Sequence, residues 1–259
     1  MINELEITVG NEAGKSYLKD MYFTPPFKIA DLSRYQARNI LSLMMMSSSP
    51  GILDQDNYQI KINLEKKARL RLETQSYQRL FQMINGAKQT VDVCLDTGAQ
   101  FSYIPHPVVP HKNSVYESFT RVFLEQDTTF TYSEIITCGR KYSGEIFQFR
   151  KFRNLTEIYF QNKLILKDNL YMEPEVMQLD SLGMLEHYTH QATWMHIHTG
   201  SENNKTKMNH VRQMLEDEKE IVLGITEPGD WGFVIRILGN EAELIYTLFK
   251  KLEHYIENQ

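Results

Sequence analysis

The chain has 259 residues, of which 42% are apolar, 11% aromatic and 24% charged, a globular composition far from that of chains too polar to bury a core. A net charge of -5 offers no basic face for nucleic acid phosphates. The longest apolar run, Leu43–Met46, is far short of the roughly 20 residues that span a bilayer, and the opening MINELEITVG has neither a basic n-region nor an apolar h-region. Neither nucleic acid nor membrane is therefore expected as a partner, and the cytoplasm is the expected location.

Along the first two-thirds, apolar and polar residues alternate with the period of strands that bury one face. Leu5, Ile7 and Val9 open the series, and Ile40–Met46 is an apolar strand closed by the turn Ser49-Pro50-Gly51. Tyr58, Ile60, Ile62 and Leu64 follow, then Ala68, Leu70 and Leu72, then Val91, Val93 and Leu95, with turn residues at Asn85-Gly86 and Thr97-Gly98. Val115–Leu124, Thr129–Thr137, Lys163–Leu170 and Ala192–His198 complete a succession that reads as antiparallel. After the polar stretch Gly200–Lys207 the period changes. Met208, Val211, Met214 and Leu215 predict a helix over 206–218, and Leu244, Ile245, Leu248, Phe249, Leu252 and Ile256 one over 240–257, with Asn240 as its N-cap. Ile221–Thr226 and Trp231–Leu238 lie between them as strands around the Pro228-Gly229 turn. The expected fold is mainly β: a large two-layer, many-stranded structure over 1–199 with a small α+β part containing two helices over 200–259, packed together as one domain. No internal repeat is visible.

Several side chains could carry chemistry. His196 and His198 point to one face of a strand and could share a metal, with His187 and His190 nearby in sequence, although no helical HExxH arrangement or obvious third ligand accompanies them. Asp54 and Asp56 with the distant Glu134 and Glu145 allow the alternative of a β-rich glycoside hydrolase or carbohydrate-binding module. Glu134 lies inside an otherwise apolar strand, where an unpaired carboxylate is costly to bury, so it meets a cation, pairs with an arginine such as Arg140 or Arg71, or faces water. Cys94 and Cys138 sit singly in apolar runs and are expected to be buried. No GxSxG, GxxxxGK[ST] or GxGxxG motif supports acyl transfer or nucleotide chemistry, which shifts weight to binding.

FTPPFK at 23–28, SPGILDQD at 49–56, TQSYQR at 74–79, SEIITCGRKYSGEIFQF at 133–149 and VIRILG at 234–239 occur in this order across nearly the whole chain. Together they resemble the UreD (also called UreH) family of urease accessory proteins. The positions carried by these motifs are Thr24, Pro25, Pro26 and Phe27; Ser49, Pro50 and Gly51; Thr74 and Gln75; Gly139, Arg140, Gly144 and Glu145; and Arg236. The chain departs from the pattern at Gln55, where the family usually has glycine, and at Tyr103 and His106 in YIPHPVVPH, while the histidine-rich 187–198 stretch lies outside the shared pattern.

The resemblance implies a protein without turnover of its own and without a permanently bound cofactor. It would bind a UreF-type protein and, through it, a UreG-type GTPase, dock on apo-urease and pass a transient nickel ion through an internal passage. Asp56 and Glu134 are the residues expected to line that passage as weak ligands, since ions must leave as well as enter.

Overall fold

The computed structural model describes residues 2–33, 39–201 and 204–258. Seventeen strands and two helices are described: β1 (Ile2–Glu12), β2 (Lys15–Phe23), β3 (Phe27–Asp31), β4 (Leu41–Ser47), β5 (Asn57–Leu64), β6 (Arg69–Thr74), β7 (Gln78–Leu80), β8 (Ala87–Leu95), β9 (Gln100–Ile104), β10 (Val108–Pro110), β11 (Val115–Leu124), β12 (Thr129–Thr137), β13 (Lys151–Phe160), β14 (Lys163–Met172), β15 (His190–His198), α1 (Asn204–Leu215), β16 (Ile221–Thr226), β17 (Gly232–Gly239) and α2 (Ala242–Glu257).

These strands form two sheets, one ordered β14-β13-β11-β8-β5-β1-β2 and the other β16-β17-β15-β12-β9-β6-β4-β3. From β5 to β13 the chain visits the sheets alternately, and within each sheet the successive visits pair parallel, β5 with β8, β8 with β11 and β11 with β13 on one side, β6 with β9 and β9 with β12 on the other. The molecule is thus a coil whose turns stack. Antiparallel hairpins close both ends, β1 with β2 and β3 with β4 at one, β13 with β14 and β12-β15-β17-β16 at the other.

The mainly β fold is as expected, but the pairing is not. Alternation of buried and exposed residues is the usual mark of antiparallel sheets with one wet face. Here each sheet covers the other on its inner side only, so parallel strands carry the same alternation. Stacking also creates a repeat that side-chain identity conceals. Leu70, Phe101 and Phe130 occupy one row, and Ile62, Val93, Val122 and Ile158 another. The turns at Gly86 and Gly98 take the left-handed conformation the sequence asks of them.

A first core fills the space between the sheets; a second lies outside, where the outer face of the β12-β15-β17 region meets both helices through Trp194, Phe233 and Ile235. α1 buries Met208, Val211 and Leu215, and α2 buries Ile245, Leu248, Phe249, Leu252 and Ile256. The sequence starts α1 two residues late and ends it three residues late, at 218 instead of Leu215, and starts α2 two residues early. Glu241, not Asn240, occupies the cap position of α2; the Asn240 amide oxygen accepts from the Thr189 backbone N–H and hydroxyl instead. Cys138 is buried as expected, but Cys94 faces outward from β8 and is exposed. No helix among the described residues is long and apolar enough to cross a membrane.

Candidate functional site

At one end of the strands the space between the sheets opens into a cavity of about 150 Å³. Its walls come from both sheets. Phe27, Tyr58, Tyr103, Tyr116 and Tyr132 contribute rings, while Glu134, Asn154, Ser118 and Gln89 contribute polar groups from the inner faces of β12, β13, β11 and β8. The mouth is formed by the corners of successive coils, Ser49–Gly51, Thr74–Gln78 and the 105–108 segment.

Glu134 is only 8% exposed. Its Oε2 accepts from Asn154 Nδ2, and its Oε1 and the Asn154 Oδ1 have no hydrogen-bond partner among the described residues. Burial, opposed by the Asn154 hydrogen bond, pushes its carboxyl up to about 7. Asp168 adds to that rise and Arg236 opposes it; the two are paired with each other at 2.6 Å. Of the arginines named from sequence, neither reaches Glu134: Arg140 pairs with Glu145 at 2.8 Å and Arg71 with Glu257 at 2.8 Å.

Asp56 stands apart from Glu134. Its Oδ2 accepts from the Leu53 backbone N–H at 2.8 Å and from the Tyr58 hydroxyl at 3.3 Å, so it reaches the cavity wall through Tyr58. The residue before it, Gln55, has φ 67°, the left-handed conformation for which glycine is suited. Asp54 faces another way and accepts the backbone N–H groups of Ile84, Asn85 and Gly86, bracing that turn. The three carboxylates therefore do not converge.

The motif residues mostly fix corners. Thr24 Oγ1 accepts the Glu4 N–H, Pro25 and Pro26 offer their carbonyls to Asn3 and Ser48, and the Phe27 ring meets Tyr58 edge-on at 5.0 Å. Ser49 Oγ donates to the Gly51 carbonyl, and a Cβ on Gly51 would sit 2.4 Å from the Arg79 carbonyl, so Pro50-Gly51 can press against the strand edge only without a side chain. Thr74 and Gln75 face the cavity mouth. Gly139 and Gly144, both at positive φ, shape the loop that holds the Arg140–Glu145 pair.

His196 and His198 do share one face, their Nδ1 atoms lying 3.1 Å and 3.0 Å from Thr131 and Thr129. That face is the outer side of the sheet. His196 is fully buried between Trp194 and Phe233, and burial drives its imidazole down to about 3. His190 lies at the far end of the same strand, bonded to Thr189, and His187 is exposed beside Tyr188. No group of three or more His, Cys, Asp or Glu is arranged to hold a metal among the described residues.

Sequence reading missed Asn154, Ser118, Gln89 and the tyrosines. The available signal was phase: in Tyr116, Ser118, Thr120, Val122 and Leu124 the inward positions change from polar to apolar along a single strand, and Asn154, Thr156 and Ile158 repeat the change on β13.

Fold and cavity together define a coiled, two-sheet β protein whose interior is polar at one end and carries a carboxylate. Comparison with known proteins is specific. A family model described as UreD urease accessory protein matches residues 3–259. The chain is 46% identical over 253 residues to the urease accessory protein UreD of Flavobacterium johnsoniae, covering 98% of this chain and 91% of that one. It is 36% identical over 244 residues to that of Acetivibrio thermocellus, covering 94% and 92%, and 32% identical over 259 residues to that of Haemophilus influenzae, covering 96% of each. The chain belongs to the UreD family of urease accessory proteins.

Proposed function

We propose that this chain is a cytoplasmic maturation factor for urease that turns over no substrate itself. It binds a UreF-type protein and through it a UreG-type GTPase, docks on the urease apoprotein, and lets nickel travel through the inter-sheet cavity toward the enzyme's active site. The observation that carries this reading is Glu134, buried in the cavity with Oε1 and the adjacent Asn154 Oδ1 lacking partners among the described residues. Two oxygen acceptors among tyrosine hydroxyls suit a hydrated divalent cation, for which oxygen ligands bind and release readily. Asp56 acts from behind, orienting the Tyr58 hydroxyl. Glu134 is the ligand, and the corner motifs at 49–51, 74–78 and 139–145 are surfaces available to partner proteins.

The test is urease activation at limiting nickel in cells expressing the urease genes with Glu134→Gln. Activation falls by at least about tenfold, as when a metal site loses a supporting group, while the accessory complex still co-purifies. Unchanged activation would remove the passage. The hydrolase alternative gains nothing from this geometry, because Asp54 braces the 84–86 turn and Asp56 holds the Leu53 N–H and Tyr58 hydroxyl, and neither lines the cavity with Glu134.

A further inference from the structure

His106 belongs to none of the roles above, yet it stands at the cavity mouth. We propose that His106 is the first protein ligand met by a divalent transition cation entering the cavity, a borderline metal such as nickel, which it takes through Nε2 before the cation moves inward to Glu134. The inference rests on the passage proposed above and adds an entry point to it.

Four features support the assignment. The ring is fixed in place: Thr74 Oγ1 accepts the His106 backbone N–H at 2.8 Å and lies 3.0 Å from Nδ1, the ring stacks on Tyr246 with centroids 4.4 Å apart, and Tyr77 flanks it at 6.0 Å. With Nδ1 engaged by the threonine, Nε2 is the ring nitrogen without a hydrogen-bond partner among the described residues, and a ligating imidazole is typically oriented through its other nitrogen in this way. The surroundings favour a cation as well. Glu243, which accepts from the Tyr77 hydroxyl at 3.0 Å, and Glu73 both bear on the ring, with Lys250 the opposing charge from α2. Burial, the largest influence, lowers the imidazole below its ordinary range against the pull of the two carboxylates, keeping it neutral and able to donate a lone pair. Finally, imidazole outside and carboxylate with amide oxygen inside form a graded pair of donors, the nitrogen selecting borderline metals over magnesium or calcium.

The alternative is a purely structural ring that props α2 through Tyr246, and the experiment separates the two. The full chain, labelled with ¹⁵N at its eight histidines, is titrated with nickel and the ring signals are followed. Paramagnetic broadening of His106 ahead of the other seven supports the assignment; broadening first at His187 or His198 with His106 unaffected overturns it. His106→Phe, which keeps a ring against Tyr246, is then compared with Glu134→Gln in urease activation. The nickel needed for half-maximal activation rises by about tenfold in His106→Phe, with recovery in excess nickel and an unchanged melting temperature. If Glu134→Gln is impaired while His106→Phe matches wild type, the passage stands and His106 is a prop. If neither is impaired, the passage itself falls, and His106 with it.

Discussion

The two ends of the space between the sheets are built from the same strands and differ in what fills them. At one end, the rows Leu5-Ile60-Val91, Ile7-Ile62-Val93-Val122 and Val9-Leu64-Leu95-Leu124 are closed and apolar. At the other, the row Tyr58-Gln89-Ser118-Asn154 runs polar through four coils and faces Glu134. Parallel stacking makes the contrast possible: a residue type repeated once per coil becomes a continuous line through the molecule. The dry end supplies stability, and the polar end spends some of it to keep donors and acceptors inside.

Four substitutions sharpen that contrast, in falling order of effect. Ile62→Ala, in the middle of an apolar row, leaves a void and lowers unfolding free energy by about 2–5 kcal/mol in denaturant titration. Glu134→Gln changes the pH dependence. Because burial raises the folded carboxyl from 4.5 to about 7, the wild type holds its full stability below pH 4.5 and loses on the order of 3 kcal/mol as pH rises to about 7, with no further loss above. The variant has no such slope; persistence of the slope would show that another group titrates there. Asn154→Ala deprives Glu134 of its one side-chain donor among the described residues and costs about 1–3 kcal/mol, more above pH 7 than below, measured the same way. Thr120→Val, at the boundary between the polar and apolar rows, costs less than about 1.5 kcal/mol; a larger loss would place the boundary deeper in the dry end.

Much of this architecture was legible as strand positions, because a face pressed against a second sheet must alternate. Val115–Leu124, Thr129–Thr137 and Ile221–Thr226 have the bounds their alternation predicts. β13 escaped notice because Asn154 and Thr156 occupy inward positions and break the apolar phase. The direction of pairing was hidden for a different reason: direction is set by where the chain goes between strands, which alternation does not encode. At the site, Glu134 stood out because a charge within an apolar strand demands a reason. Asp56 was named with it through the family motif, but its direction, toward the Leu53 N–H and the Tyr58 hydroxyl, was hidden, as was the role of His106, since a residue beside a turn or among prolines has no phase from which its direction can be inferred. The family motifs supplied the order of the corners, but the convergence of 49–51, 74–78 and 105–108 on one mouth follows from coils stacking corner over corner, as the parallel pairing of Gln78 with Val108 illustrates.

Closure of the coil by hairpins at both ends gives the cavity a fixed length. Its lining runs from Met45 on β4 to Asn154 on β13, along the stacking direction, where each further strand advances about 4.8 Å. Inserting or deleting one coil would therefore lengthen or shorten the interior by a single strand spacing without disturbing the caps. The number of turns between the terminal hairpins acts as a ruler, and it fixes how far apart the two capping hairpins are held.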